Sequence, residues 1–261
     1  MTILEKIVND KREEVKINKS LTPLSKLEKS SSLNTNGKSL KNKLINSEAG
    51  IIAEHKRRSP SKSIISDSID ITEVVNGYEK AGVSGISILT DEKYFGGTIN
   101  DLKIAREISD LPLLRKEFII DPYQIVESKV LGADAILLIA AILKKEEVRS
   151  LSILAKELKM EVILEVHTIE EIKKYLMSSL DIIGVNNRNL KTFEVDYKHS
   201  IKLSKYITND FLKISESGIN NAKDLIRLRK IGYQGFLIGE KFMKSQNPGK
   251  SVTKFIKNLN L

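Results

Sequence analysis

Three glutamates and two lysines carry the most chemistry in this sequence, because each ends or follows a short apolar run: Glu54 and Lys56 in IIAEHK at 51–56, Lys116 in LLRK at 113–116, Glu165 in VILE at 162–165 and Glu216 in LKISE at 212–216. Ammonium and carboxylate groups packed together shift one another's pKa values, which lets them serve as acids and bases near neutrality. Burying such groups costs several kcal/mol unless they are paired. Mutual pairing, Glu54 with Lys56 or Lys116, would account for the charges but not for all of them lying at the same end of their strands. A second signal is glycine-rich: Glu216-Ser217-Gly218 and Gly239-Glu240-Lys241, each leading into a helical pattern. Glycine lets backbone amides approach a ligand, and the start of a helix attracts an anion. The chain has no cysteine, which excludes a thiolate nucleophile, a thiolate zinc site and a disulfide framework. His55 and His167 have no second histidine at metal-ligand spacing, so structural roles and no metal are expected for them.

These groups need a scaffold that brings strand ends together. Short β-branched runs alternate with helical patterns from residue 50 onward, the mark of parallel βαβ units. The runs predict eight strands, at 51–56, 85–90, 113–118, 135–139, 162–166, 182–186, 211–216 and 235–239. Intervening periodicity predicts helices such as 72–80, 123–131, 144–159, 169–177 and 221–231, with Gly82, Gly132 and Gly232 at helix-to-strand turns. An open doubly wound sheet would fit the same order, but no GxGxxG follows the first strand and no GxxxxGK[ST] loop occurs. A length of 261 residues suits one closed α/β barrel, (β/α)8, usually ~250 residues long. Residues 1–49 form an extension with helical stretches at 2–19 and 23–29 and a Ser/Asn-rich loop at 30–37, expected to cover one end of a single barrel domain. Alternation along the strands turns Glu54, Lys56, Lys116, Glu165, Asn186, Arg188 and Glu216 inward at the C-terminal rim, where barrel active sites form.

The net charge of +9 suits an anionic partner, yet only nine of the basic residues are arginines, the usual phosphodiester forks. With 5% aromatic residues and no tryptophan, an RNA-binding stripe is disfavoured, although a basic barrel that binds RNA or a partner without turnover remains the contrasting reading. No run approaches the ~18 apolar residues of a membrane span, and MTILEKIVNDKREE lacks a secretory core, so no membrane and a cytoplasmic location are expected.

Eight blocks then carry a family resemblance over nearly the whole chain: AEHKRRSPSKS at 53–63, SILTDEKYFGG at 87–97, LLRKEFIIDPYQI at 113–125, GADAILLIAAIL at 132–143, EVHT at 165–168, IGVNNRNL at 183–190, SESGI at 215–219 and LIGEKFM at 237–243. Together they resemble the monofunctional indole-3-glycerol phosphate synthases, TIM barrels of tryptophan biosynthesis. The resemblance implies ring closure, decarboxylation and dehydration of 1-(2-carboxyphenylamino)-1-deoxyribulose 5-phosphate, with no cofactor. It implies Lys116 as general acid at the ketose oxygen and Lys56 as the lysine that contacts the substrate's carboxylate and phosphate, itself a candidate proton donor. Glu165 would assist loss of the hydroxyl, Glu54 and Glu216 would orient lysines and substrate hydroxyls, and Asn186 and Arg188 would bind substrate. Ser59, Ser217, Gly218, Gly239 and Glu240 would line the phosphate pocket, Glu240 through its backbone amide only. Phe95 and Leu137 are candidates to pack on the aniline ring. The expected partner is thus a small anionic sugar phosphate, with no nucleic acid, and the chain a monomer or weak homodimer. Other phosphate-binding barrels, phosphoribosylanthranilate isomerase and the tryptophan synthase α subunit, are the alternatives within enzymes, the isomerase disfavoured by the absence of its cysteine base.

Overall fold

The computed structural model describes residues 2–66, 69–190 and 192–259. Eight strands, β1 (Ile51–His55), β2 (Gly85–Leu89), β3 (Leu113–Lys116), β4 (Ala135–Ile139), β5 (Glu161–Val166), β6 (Ile182–Asn186), β7 (Leu212–Glu216) and β8 (Gly235–Ile238), pair in chain order, and β8 closes on β1. Every pairing is parallel. Both faces of such a sheet are covered, which is why β4 reads as the unbroken apolar run AILLI. Outward side chains such as Ala53, Ile88, Leu138, Leu164 and Val185 pack under the helices, while Ile52, Leu114, Leu137, Ile163, Ile182, Leu212 and Ile214 fill the interior.

The helices follow from spacing and caps. Ile71–Lys80 buries Ile71, Val74, Val75 and Tyr78, one stripe at helical period, and starts where the Asp70 carboxylate accepts the Thr72 amide. Replacing buried Val75 by aspartate would put an unpaired charge in that stripe and break it. The strand expected at 113–118 stops at Lys116 for a local reason. The Glu117 carboxylate turns back to accept the Phe118 amide at 2.8 Å and the Thr90 hydroxyl at 2.7 Å, which ends the ladder.

The extension divides between the two ends of the barrel rather than covering one. Helix Ile3–Leu21 opens with a capping box at Thr2 and lies across the C-terminal mouth, where Lys11 meets Asp91 and Glu117, each at 3.0 Å, just past β2 and β3. After a short helix at Leu24–Leu27, within the stretch expected at 23–29, a further helix, Leu40–Ile45, lies where the sequence predicts none. Ser39 donates to Glu161 at 2.5 Å and the Lys41 amide at 2.8 Å, at the first residue of β5, so Leu40 and Leu44 enter the interior from the opposite end. The segment 31–34, expected as loop, forms one 3-10 turn.

Candidate active site

The register sets the polar groups at one level: Leu89 pairs with Lys116, Ile139 with Glu165 and Asn186 with Glu216. Two glycines make room for two of the carboxylates. A Cβ at Gly184 would lie 2.2 Å from a Glu216 oxygen, and one at Gly239 would lie 2.3 Å from a Glu54 oxygen. Bulkier residues on β6 and after β8 would therefore expel the acids from the mouth.

The charges then sort into two groups. Lys56 donates to Glu54 at 2.6 Å. Lys116 stands between two acids, 3.4 Å from Glu165 and 3.6 Å from Glu216. Burial opposes the Lys116 charge, but the carboxylates of Glu165, Glu216 and Glu54 outweigh it and hold the ammonium charged beyond the usual lysine range. Burial also works against the Glu165 carboxylate. The charges of Lys116 and His167 and hydrogen bonds from Asn186 and Lys116 overcome it, so Glu165 stays ionised below the usual carboxylate range. Burial dominates at Glu216, reinforced by the charges of Glu165 and Glu54 against the pull of Lys116, and its pKa is pushed up to about 8. Its two oxygens have no hydrogen-bond partner among the described residues. Two acids sharing one ammonium are thus split into an ionised base and a proton-bearing acid.

A cavity of about 530 Å³ opens over this cluster, within the range of small-molecule sites. Glu54, Lys56, Lys116, Glu165, Asn186, Arg188 and Glu216 all line it, as do Ser59, Ser217, Gly218, Gly239 and Glu240. Ser217 and Gly218 are both left-handed, with φ of 65° and 76°, turning the chain sharply just after Glu216. For serine that conformation costs about 1–3 kcal/mol, a strain typical of functional loops. The Asn186 side chain accepts the Arg188 amide at 3.0 Å, and the Arg188 guanidinium donates to Phe193 O at 3.2 Å and Ser61 Oγ at 3.3 Å. Phe95 stands on the wall with Phe118, their ring centres 6.0 Å apart. Leu137 is a correction: it is buried in the interior one pleat below, and Ile139, two residues nearer the C-terminal end of β4, reaches the cavity instead. Glu240 departs from its expected backbone-only role as well, since its carboxylate meets Lys62, Lys244 and Arg188.

Part of the cavity wall comes from outside the strands, where the sequence raises no expectation of it. Ile3, Leu4 and Ile7 of the first helix and Leu190, Phe193 and Val195 after β6 line the cavity. The apolar stripe 3, 4, 7 was the available signal, and what it would cover was not. His55 is buried facing the helices, where loss of hydration leads and the Arg57 charge adds to it, pushing its pKa down to about 4. His167 lies 3.6 Å from Glu165 and 4.0 Å from Glu171. Among the described residues no group of three or more histidines, aspartates or glutamates is placed to hold a metal ion.

A closed eight-stranded parallel barrel with mixed lysines and glutamates at its C-terminal mouth, flanked by glycine loops after β7 and β8, defines a (β/α)8-barrel enzyme with an acid–base site. The fold is shared with 3-hexulose-6-phosphate synthase from Salmonella typhimurium (TM-score 0.64, 13% identity, 81% of this chain and 98% of that one). It is shared also with a mutant tryptophan synthase α-subunit from Pyrococcus furiosus (TM-score 0.61, 13% identity, the same coverage). The family is narrower: the model for indole-3-glycerol phosphate synthase matches residues 4–256, and the chain belongs to that family. It is 46% identical over 255 residues to the indole-3-glycerol phosphate synthase of Bacteroides thetaiotaomicron, covering 98% of each chain. To that of Caldanaerobacter subterraneus it is 44% identical over 260 residues, again covering 98% of each.

Proposed function

We propose that this cavity carries out the family's reaction through Lys116 as the proton donor. As an indole-3-glycerol phosphate synthase, the enzyme converts 1-(2-carboxyphenylamino)-1-deoxyribulose 5-phosphate to indole-3-glycerol phosphate, carbon dioxide and water. The single observation that carries the assignment of the acid is the contrast between the lysines: Lys56 is engaged by Glu54 at 2.6 Å, whereas Lys116 keeps only longer contacts and faces the cavity.

The aniline ring suits the apolar wall of Phe95, Phe118, Leu89 and Ile139, and the phosphate suits the loops at Ser217-Gly218 and Gly239, with Ser59 and Arg188 beside them. As the aromatic carbon attacks the ketose carbon, the carbonyl oxygen takes a proton from Lys116 and becomes a hydroxyl. The ring nitrogen becomes an iminium, and the electron pair of the C–CO2 bond neutralises it as carbon dioxide leaves. Lys56 and Asn186 hold the groups in line, and Glu54 fixes Lys56. In the dehydration the hydroxyl departs as water, with a proton from Glu216 or the reloaded Lys116, while ionised Glu165 accepts the ring proton. One such acid or base contributes ~10² to 10⁴ in rate, so positioning and fixed charge supply the remainder.

No described helix is long and apolar enough to cross a membrane. We place the enzyme in the cytoplasm as a monomer or weak homodimer; a cavity of about 530 Å³ lined by Lys56, Lys116 and Arg188 favours a small anionic substrate over nucleic acid as its partner. The test is direct: purified protein at micromolar concentration converts the anthranilate ribulose phosphate adduct into a fluorescent indole. Absence of product defeats the reading.

A further inference from the structure

Glu240 is an anomaly in a site built for anions. It follows Gly239 and lines the cavity, so its carboxylate stands beside the loops that suit a phosphate. Three cations hold it there. Lys62 donates to one oxygen, Lys244 donates to the same oxygen at 2.8 Å, and the Arg188 guanidinium lies 3.5 Å from the other. Burial opposes the charge, but the hydrogen bonds from Lys244 and Lys62 overcome it and take the Glu240 pKa down to about 2. Residue 240 is therefore a full anion at working pH. Lys62 is carried on a tight turn in which Ser59 and Lys62 exchange backbone hydrogen bonds of 2.8 and 2.9 Å, and Ser61 accepts from Arg188 at 3.3 Å. The turn after β1, the loop after β6 and the residue after β8 thus meet at one carboxylate. Three cations against one carboxylate leave a balance of two positive charges, which matches a phosphate monoester at roughly −1.5 to −2.

We propose that Glu240 is a resident competitor for the substrate's phosphate: its carboxylate occupies Lys62 and Arg188 in the free enzyme, and binding hands those cations over to the phosphate. The inference rests on the phosphate placement proposed above and adds the identity of the residue that sets affinity there. Lys62 can give the phosphate little net attraction while it must first leave Glu240. Without the carboxylate its whole charge is available.

The experiment is calorimetric titration of inorganic phosphate into five proteins: wild type, Glu240→Gln, Glu240→Ser, Lys62→Met and the Glu240→Gln/Lys62→Met double variant. Glu240→Gln is expected to tighten phosphate about tenfold, ~1.4 kcal/mol. Lys62→Met is expected to weaken it less than about threefold alone, and about tenfold in the Glu240→Gln background. Glu240→Ser, which also removes the charge, must move affinity in the same direction. Unchanged or weaker phosphate binding in both Glu240 variants overturns the proposal, as does strict additivity of the Glu240 and Lys62 effects, the signature of two independent charges. Absence of phosphate binding in all the proteins overturns the phosphate placement itself, and with it this inference, so the two failures are told apart.

Discussion

Two ammonium groups, Lys11 buried and Lys116 half-buried, stand at the same rim of the barrel, and they are treated in opposite ways. Lys11, sent in by the N-terminal helix, is 1% exposed and saturated by Glu14 at 2.8 Å and by Asp91 and Glu117 at 3.0 Å each. Lys116, one residue before Glu117, has its nearest carboxylates at 3.4 and 3.6 Å and opens onto the cavity. Both are held charged beyond the usual lysine range, burial opposing and neighbouring carboxylates prevailing. What separates them is coordination. A saturated ammonium has no direction left in which to give a proton, whereas an incompletely coordinated one keeps donors for a ligand. Lys11 fastens the helix that supplies Ile3, Leu4 and Ile7 to the cavity wall, and Lys116 faces the cavity that this wall encloses.

Lys11→Met leaves Asp91 and Glu117 buried without their shared cation, and removing one partner of a buried pair costs about 3–5 kcal/mol. Denaturant unfolding should show that loss, with turnover per folded molecule changed far less. A stability loss below about 1 kcal/mol, the scale of an exposed pair, would erase the distinction.

A carboxyl is ionised in the unfolded chain above its ordinary pKa of ~4.3, while Glu216, facing Lys116, Glu165 and Glu54, keeps its proton up to about 8. Between those values the folded state binds the extra proton, so wild-type stability falls as pH rises through this window. Glu216→Gln removes that slope. Its melting temperature should therefore rise relative to wild type between pH 5 and pH 8, and a constant difference would mean that Glu216 is ionised throughout. The smallest effect concerns the other end of the cavity: millimolar inorganic phosphate should raise KM and leave kcat unchanged. A fall in kcat at unchanged KM would place the phosphate site away from Ser217-Gly218 and Gly239.

Much of this was readable in the sequence because a parallel barrel imposes two strong rules. Doubly covered strands read as β-branched runs, and an inward charge at the end of such a run has no reason to exist unless something meets it there. Glu54, Lys56, Lys116, Glu165 and Glu216 obey both rules, and the structure brings them to one mouth. Leu137 was misplaced because alternation assigns a face but not a depth. Ile139, two residues on, has the same parity and stands at the wall. Lys11 was illegible for another reason: in a helix that also carries Lys6, Lys16 and Lys19 it looks like one more solvated charge, and two of its three partners, Asp91 and Glu117, lie far along the chain. Helix Leu40–Ile45 is too short for periodicity to register, and it is fixed by a tertiary contact with Glu161. The strained turn at Ser217 left no trace in residue type, since serine is not chosen for a positive φ.

The role proposed for Lys116, the incompletely coordinated ammonium, is to donate the proton to the ketose oxygen. Single-turnover formation of indole by Lys116→Met, set against wild type at equal folded concentration, addresses it most directly. A rate at least about a hundredfold lower, the scale of one lost general acid, with unfolding midpoint and phosphate affinity retained, is the expected result. A rate within a few-fold of wild type would contradict it and give the proton to Lys56 or Glu216.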